Sequence, residues 1–464
     1  EISACLVGSE MCIRDRSSTN SDSEKSATHG VYVETNDSEN KTYSDSIADI
    51  NANSINITSI STGNLLSTSF GVEAKTVPDD GTKASVNLTT NGENGIIITA
   101  QSTGAAYGLN AADNAEINIT ANNGDIVINA NGGNDSISEG IQVDSIDIAS
   151  SNKDVSAKVD ISAENTNVAG SYAGLHANYG KSFINLTAKS GSNTVFGGTI
   201  GVRSENGADV EITADSGNNY ITTNNGSYGI YTTNTSYTSA IFTNGKDAKV
   251  VLDAKNNTID KSNDGIYSYR YTDTDLIADV QNRIIANRYG IYARADSEVT
   301  LSAGDNNYIA SGDTANGFGN SYAVYALDNG GFKGSNVLLD AGNQNYLLGA
   351  VFANGNDEQG NATTVTLDSK ENVIRSYAAI ADAGDIDTTT GQFENKTFYS
   401  ALYAEDGAHI DVTGENYIGT YADSGNDDML ERTVWAYNKG TIDITGAAQI
   451  GTDLSLIHIS EPTR

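Results

Sequence analysis

The chain has 464 residues, of which 47 are glycine and 24 are tyrosine but only 2 are proline. It is too poor in leucine, lysine and glutamate for a helix bundle, and its 38% hydrophobic content is too high and too evenly spread for a disordered chain. With 26 basic and 60 acidic residues, the formal charge of -34 makes nucleic acids and anionic lipid surfaces unsuitable partners.

The two ends of the sequence are predicted to be foreign to the protein. The DNA strand complementary to one coding sequence for residues 455–464 also encodes residues 6–14, so a single short DNA accounts for both ends. That DNA resembles an adapter ligated to fragments during the preparation of a sequencing library. We therefore interpret residues 1–16 and 454–464 as adapter-derived, and residues 17–29, rich in serine and threonine, as a linker or frayed end.

A four-residue unit recurs through the rest of the chain, and it consists of a small residue, an aliphatic residue, a variable residue and a second small residue. Successive copies are about 30 residues apart, a period typical of repeat proteins. In an extended strand the aliphatic residue points inward and the variable residue points outward. The copies begin at Gly30, Gly71, Gly108, Gly140, Gly174, Gly201, Gly229, Gly265, Gly290, Ala323, Ala350, Ala379, Ala401 and Thr433.

Two further units follow most copies of the first. One alternates between apolar and polar residues, as in 117–121, which indicates a strand with one buried face, and the other begins with asparagine, as in 307–309. Because none of these short strands has enough apolar surface to fold alone, each is expected to stack on its counterparts in neighbouring repeats. The sequence therefore predicts an all-β fold: a single-stranded, right-handed parallel β-helix of about fourteen coils over residues 30–453.

The outward residue of the first unit is usually aromatic in the second half of the chain. Exposed, stacked aromatic rings can bind sugar rings or the apolar surface of a partner. Alternatively, the rings pack on one another and under overhanging loops, and so stabilise the repeat. Ala381 is expected to interrupt the series. The candidate ligand-binding residues are Tyr231, Tyr267, Tyr292, Tyr325, Phe352, Tyr403 and Trp435.

Other polar residues of the repeat are predicted to have structural roles. The leading asparagines are expected at corners, where asparagine tolerates left-handed backbone angles, and their stacked amides can hydrogen-bond between coils. The histidines at His29, His176 and His409 lie in different repeats, without a second histidine or cysteine at metal-ligand spacing. We expect His176 and His409 to be surface residues rather than general bases.

Carboxylates are the remaining candidates for chemistry. Asp253, Asp340 and Asp368 occupy the equivalent outward position of the second unit, where a row of aspartates can hold loosely bound calcium. The segment 132–135 (Gly-Gly-Asn-Asp) resembles one copy of a glycine-rich calcium repeat, but one copy is not a run. An active site is usually a local departure from the repeat, so the regularity favours a protein that is not an enzyme and needs no metal or cofactor.

Segments such as 290–293 (Gly-Ile-Tyr-Ala), 299–303 (Val-Thr-Leu-Ser-Ala) and 306–309 (Asn-Asn-Tyr-Ile) resemble those in the passenger regions of autotransporter adhesins from Gram-negative-type bacteria. That resemblance implies a signal peptide upstream, a membrane β-barrel downstream and export to the cell surface. Both cysteines lie within residues 1–16, and the absence of cysteine elsewhere fits a passenger that crosses an outer membrane unfolded.

The first functional hypothesis is a secreted or surface-displayed adhesin, a non-catalytic stalk. Its partner is expected to be a host or microbial surface glycan or protein, with no nucleic acid involved and with contact to a membrane only through the translocator barrel. A second hypothesis is a polysaccharide-active β-helix enzyme, a lyase or depolymerase, which requires a carboxylate cluster in a groove and, in a lyase, a basic partner. A third is a purely structural surface-layer spacer.

Overall fold

The computed structural model confirms an all-β fold with the parallel strand pairing of a β-helix. Every regular element among the residues that it describes is a β-strand, and most of these strands pair in parallel with strands one repeat away, as in a parallel β-helix. The chain divides into two compact units, residues 1–282 and 283–464. The structure describes residues 3–7, 10–14, 27–35, 45–62, 66–76, 82–133, 136–145, 156–233, 248–315, 317–328, 332–355, 361–382, 396–421 and 430–452.

Unit 1 contains the first twenty strands and the first part of a twenty-first. They are β1 (Ser3–Val7), β2 (Glu10–Arg14), β3 (Ala27–Glu34), β4 (Ser46–Ala52), β5 (Ser54–Ser61), β6 (Thr68–Lys75), β7 (Ala84–Thr90), β8 (Ile96–Ser102), β9 (Ala105–Ala112), β10 (Ala115–Ala121), β11 (Ile126–Asn131), β12 (Ser138–Asp144), β13 (Lys158–Ala163), β14 (Thr166–Gly170), β15 (Ala173–Asn178), β16 (Phe183–Ala188), β17 (Asn193–Gly197), β18 (Ile200–Glu205), β19 (Asp209–Thr233), β20 (Ala248–Tyr269) and β21 (Thr272–Arg294).

Unit 2 contains the end of β21 and fourteen further strands. These are β22 (Ser297–Ala303), β23 (Asn306–Ser311), β24 (Tyr322–Leu327), β25 (Asn336–Leu348), β26 (Ala350–Asn354), β27 (Thr364–Ser376), β28 (Ala379–Asp382), β29 (Lys396–Tyr399), β30 (Leu402–Glu405), β31 (His409–Thr420), β32 (Leu430–Glu431), β33 (Val434–Ala436), β34 (Thr441–Thr445) and β35 (Ala448–Thr452).

The three sequence units form three faces of each coil. The first face carries the unit with the variable outward residue, the second face the alternating unit, and the third face the asparagine-led unit. In one coil these faces are β9, β10 and β11. The alternating pattern holds its register between coils, because Ile117, Asn118 and Ile119 lie opposite Val86, Asn87 and Leu88. The first, second and third faces therefore each stack residue on equivalent residue.

The interior is built from the aliphatic positions of all three faces. Leu109, Ile119 and Ile128 of one coil are at most 1% exposed, and the same holds for most equivalent side chains in the other coils. Full burial of such a side chain contributes about 1.5–3 kcal/mol. No single strand presents more than a few of them, so this stabilisation depends on stacking between coils.

The small residue that opens the first unit is required by close packing between coils. A Cβ atom added to Gly108 would lie 2.3 Å from Cγ2 of Ile128 and 2.5 Å from the carbonyl oxygen of Gly140 in the next coil. Gly174 has equally short approaches, 2.4 Å to Cγ1 of Val195 and 2.7 Å to the carbonyl oxygen of Gly201. The recurring glycine therefore reflects a lack of space for a side chain.

The leading asparagines of the third face point inward and form a hydrogen-bonded ladder. In unit 1, Nδ2 of Asn193 donates to Oδ1 of Asn219 at 2.9 Å, and Asn219 donates to Asn257 at 3.0 Å. In unit 2, Asn307 donates to Asn345 and Asn345 donates to Asn372, each at 3.0 Å. The predicted amide bonding between coils is confirmed, and these side chains are completely buried.

The expectation of left-handed angles at these asparagines is wrong. Ladder asparagines lie inside strands and are not among the described residues with positive φ. Left-handed residues instead occupy the corner between the first and second faces, as at Asp113 (φ 63°), Asn206 (φ 54°) and Asp406 (φ 54°). At these three positions the corner uses the tolerance of Asp and Asn for this conformation, whereas Tyr179 and Ala295 adopt it at the corresponding corner of other coils.

One copy of the first unit does not join the first face. β28, which begins at Ala379, pairs antiparallel with β29 in a separate small sheet that includes β32. On the first face, β26 pairs directly with β30, so that Phe352 lies opposite Tyr403. The expected interruption of the aromatic series at Ala381 is therefore wrong.

The N-terminal residues that are described extend the sheet. β1 and β2 form an antiparallel hairpin, and β2 pairs in parallel with β5 of the third face.

The interpretation of residues 1–16 and 454–464 as adapter-derived stays a prediction. The described residues contain no helix that could span a membrane.

Candidate functional site

In unit 1 the candidate aromatic residues form a short stack on the outer side of the first face. The rings of Tyr231 and Tyr267, on successive coils, are stacked with centroids 5.3 Å apart and an interplanar angle of 10°. Tyr228 leans against both, at 4.8 and 5.0 Å. The guanidinium of Arg203 lies 5.8 Å from the Tyr231 centroid, within range of a cation–π contact. All three tyrosines are half-buried.

Unit 2 has a wider aromatic strip on its first face. Tyr292 and Tyr325 are stacked at 5.5 Å, and Tyr289 and Tyr322 flank them in a second column. Tyr289 also stacks on Tyr325, with centroids 5.0 Å apart. These four rings are half-buried, so each leaves part of its surface to solvent.

The remaining candidates of unit 2 are buried. Phe352, Tyr403 and Trp435 are 5%, 2% and 8% exposed and form one hydrophobic cluster. Tyr403 and Trp435 stack with centroids 4.3 Å apart, and the guanidinium of Arg432 lies 4.2 Å from the Trp435 ring centroid. These three side chains have too little free surface to meet a ligand in this conformation, which favours the packing interpretation for them. Tyr231, Tyr267, Tyr292 and Tyr325 keep the surface that recognition needs.

Stacking determines which part of each tyrosine faces outward. Rings on successive coils are nearly parallel and about one strand spacing apart, so they cover one another's faces. Their edges stay partly exposed, while the Tyr292 hydroxyl accepts a hydrogen bond from Arg294 at 3.5 Å. Burial raises the pKa of Tyr231 and raises that of Tyr325 to about 12, so the phenols stay protonated at neutral pH. The strip is therefore a surface of ring edges and neutral phenols with guanidinium groups beside it, Arg203 near Tyr231 and Arg288 near Tyr289.

The coils that precede the tyrosines of unit 1 hold a buried charged network at the outer positions of the first face. This charged network consists of Glu139, His176, Arg203 and Glu205. Nδ1 of His176 lies 2.9 Å from Oε1 of Glu139, and Nε2 lies 3.3 Å from Oε2 of Glu205. Arg203 reaches the same Oε2 at 2.8 Å. Glu139 is 1% exposed and His176 is 7% exposed. The imidazole thus bridges two buried carboxylates on different coils.

The network holds its histidine protonated. Burial opposes protonation of His176, but the carboxylates of Glu139 and Glu205 outweigh burial and raise its pKa to about 9. Burial likewise opposes ionisation of Glu205, but the contacts with His176 and Arg203 lower its pKa below the usual value. Burial raises the pKa of the neighbouring Asp144.

The expectation that His176 is a surface residue is wrong, and the amino-acid sequence did not reveal this network. A signal was present, because β12, β15 and β18 carry Glu139, His176 and Arg203 with Glu205 on three successive first-face strands. The burial of these outer side chains depends on neighbouring coils and could not be read from one strand. His29 makes a related contact, since its Nε2 lies 2.6 Å from Oε2 of Glu73.

A second charged group lies on the second face of unit 2. Nε2 of the half-buried His409 lies 2.8 Å from Oδ1 of Asp411 and 3.5 Å from Oδ2 of Asp443. Asp411 and Asp443 are in register on adjacent strands, and the three ligand atoms lie close enough to share a metal ion. An imidazole between two carboxylates also accounts for this geometry without a metal.

The proposed aspartate row is partly assembled. Asp340 and Asp368 lie opposite each other on adjacent second-face strands of unit 2, and both are exposed. The next strand places Thr413 at this position, so the row ends there. Asp253 is also exposed but belongs to unit 1. Of the segment 132–135, Asn134 and Asp135 lie outside the described residues.

Comparison with protein-family models, curated proteins and solved structures finds no match to this chain. Functional conclusions therefore depend on the geometry of the first face and of the turns beside it.

Proposed function

We propose that this chain is the passenger region of a surface-displayed bacterial adhesin, with a β-helix that serves as a non-catalytic stalk. Support comes from the resemblance of its repeat units to autotransporter passengers and from the parallel β-helix itself. The observation that carries the proposal is the half-buried tyrosine strip. The name covers two groups, one in each unit: Tyr228, Tyr231 and Tyr267 in unit 1, and Tyr289, Tyr292, Tyr322 and Tyr325 in unit 2.

The geometry of the strip favours a protein partner over a sugar stacked on a ring. Sugar rings dock on the faces of aromatic side chains, whereas the faces here are covered by neighbouring tyrosines. Ring edges and neutral hydroxyl groups suit a protein surface that offers apolar groups and hydrogen-bonding partners, and tyrosine is enriched at protein interfaces for this reason. The acidic surface of the chain further favours a neutral or basic partner.

One observation favours the enzymatic alternative. Glu139 and Glu205, with His176 and Arg203, make the carboxylate cluster with basic partners that a polysaccharide lyase or depolymerase requires. However, both carboxylates are more than nine-tenths buried and are bridged by the imidazole, so a polysaccharide cannot reach them in this conformation. Incubation with acidic and neutral polysaccharides should therefore yield no shortened chains. Chain shortening that is lost on Glu139→Gln would establish the enzyme instead.

Substitution of the strip should separate binding from packing. Beads coated with the full chain should adhere to cultured epithelial cells, and alanine at Tyr231, Tyr267 and Tyr292 together should reduce adherence at least tenfold, because it removes the recognised edges and hydroxyl groups. The same residues changed to phenylalanine keep the stacked rings and lose only the hydroxyl groups. This variant should unfold at the wild-type midpoint and bind a few-fold more weakly.

The matched control is Tyr220→Ala, which removes a tyrosine that is 41% exposed on another face of unit 1. Its adherence should equal that of the wild type. If the triple alanine variant has a lower unfolding midpoint and unchanged adherence, the strip serves only to stabilise the repeat.

A further inference from the structure

A cavity of about 410 Å³ opens in unit 1 where the chain turns from the third face to the first face. It is formed by the corresponding turns of three successive coils. Its lining is Asn131, Gly132, Gly133, Ser136, Ile137, Ser171, Tyr172 and Thr199. The volume lies near the lower end of the range for ligand pockets, roughly 300–1,000 Å³, and so suits one small ring better than an extended chain.

The lining combines hydroxyl and amide groups with one aromatic and one aliphatic side chain. Ser136, Ser171 and Thr199 offer hydroxyl groups that both donate and accept hydrogen bonds. The half-buried ring of Tyr172 and the side chain of Ile137, which is 53% exposed, provide apolar surface beside them. None of the lining residues named above carries a formal charge. Such a mixture complements a molecule with hydroxyl groups around its edge and apolar C–H faces.

The wall of the cavity is held by hydrogen bonds within one turn and between neighbouring coils. The Gly133 amide donates to the carbonyl oxygen of Gly104 at 3.0 Å, and the Ser136 amide donates to that of Gly133 at 3.0 Å. The Gly132 amide donates to Oγ of Ser171 at 3.3 Å. A Cβ atom at Gly133 would lie 2.1 Å from the carbonyl oxygen of Thr103, so glycine is needed for this close approach. These contacts hold the described residues of the turn in place.

We propose that this cavity binds a single residue of a neutral glycan, with its apolar face on Tyr172 and Ile137 and its hydroxyl groups on Ser136, Ser171 and Thr199. An anionic sugar is disfavoured by the acidic chain and the uncharged lining. The inference rests on the proposed adhesin function for its biological sense, but the site is separate from the tyrosine strip.

Saturation-transfer NMR on the full chain tests the site directly. The probes are the methyl glycosides of glucose, galactose, mannose and N-acetylglucosamine at millimolar concentration. We expect saturable binding of at least one, and Tyr172→Ala should weaken it at least tenfold. If no glycoside binds, or if the Tyr172→Ala variant binds as the wild type does, the proposal is overturned. Should that variant not fold, Ile137→Glu tests the same rim at an exposed position and should abolish binding.

A control variant fixes the location, and the adherence assay separates this proposal from the adhesin function. Tyr220→Ala, outside both the cavity and the strip, should leave glycoside binding unchanged. Adherence to cells that depends on the strip, combined with no glycoside binding, would refute the cavity and leave the adhesin function standing. Glycoside binding without adherence to cells would refute the adhesin function and leave the cavity proposal standing.

Discussion

Alanine at Asn257 is expected to lower the free energy of unfolding of unit 1 by about 3 kcal/mol or more, because several buried polar groups would lose their partners together. Nδ2 of Asn257 is within hydrogen-bond distance of Oδ1 of Asn282 at 3.0 Å and of the carbonyl oxygen of Ile277 at 2.7 Å. Its Oδ1 accepts from Asn219 at 3.0 Å. The side chain is completely buried, so water cannot replace these bonds.

The expected size follows from the number of groups left without partners. A buried donor or acceptor that loses its hydrogen bond costs about 1–3 kcal/mol, and at least two are affected here. The loss of side-chain volume adds a cavity at a packed position. Leucine would fill the volume but would leave the same polar groups unpaired, so Asn257→Leu should be nearly as damaging as Asn257→Ala.

Asn256 provides a matched control one residue away. Its Nδ2 also donates to an asparagine of the neighbouring coil, Oδ1 of Asn218 at 2.6 Å, but the side chain is only part-buried. Because water can reach it, Asn256→Ala should cost about 0.5–1 kcal/mol. Urea unfolding followed by circular dichroism measures both variants. Equal shifts for Asn256→Ala and Asn257→Ala would show that the inward ladder has no special part in stability.

The sequence predicted the ladder because its signal is local and repeated. Asn307 leads a strand in which Ile309 is the next inward residue, so both side chains face the interior. The same reasoning identified the buried faces, as in Ile117 and Ile119. Side chains alternate between the two faces of a strand, so the position of a residue in the strand determines the face on which its side chain lies. The repeat then places equivalent residues of neighbouring coils on top of one another.

The sequence predictions were wrong where the surroundings of a residue are formed by distant parts of the chain. The four residues from Ala379 match the first unit, yet their backbone pairs with β29 in another sheet, since so short a motif does not determine its partner strand. Tyr403 and His176 point outward as predicted but are buried, because burial of an outward side chain depends on what packs over it. The cavity beside Tyr172 was not predicted, since it is made by turns from three coils.

Burial by neighbouring coils also explains why the charged network affects stability. Glu139, His176 and Glu205 occupy positions that would be solvated in a single strand, where an ion pair is worth little. Stacking buries them, and a buried charge is tolerated only with partners in good geometry. Removal of one partner therefore leaves the remaining charges buried without compensation, which lowers the stability.

Between pH 6 and pH 9.5 we expect unit 1 to lose about 3 kcal/mol of stability through His176 alone. The pKa of its imidazole is raised from the usual 6.5 to about 9 in the folded chain. A raised pKa means that the folded state holds the proton more tightly, so the stabilisation is complete below about pH 6.5 and falls as the pH rises towards 9. Each pKa unit corresponds to about 1.4 kcal/mol, which gives the expected size.

The histidine can be isolated by comparing each protein with itself at two pH values. His176→Gln keeps hydrogen-bonding capacity but does not titrate, so its unfolding midpoint in urea should change far less between pH 6 and pH 9.5. His409→Gln, at a half-buried histidine of unit 2, should keep the pH dependence of the wild type in unit 1. NMR titration of the imidazole protons gives a reading independent of stability. A His176 resonance that titrates near pH 6.5 would show that the two carboxylates do not hold the proton, and the predicted loss of stability would then have no source.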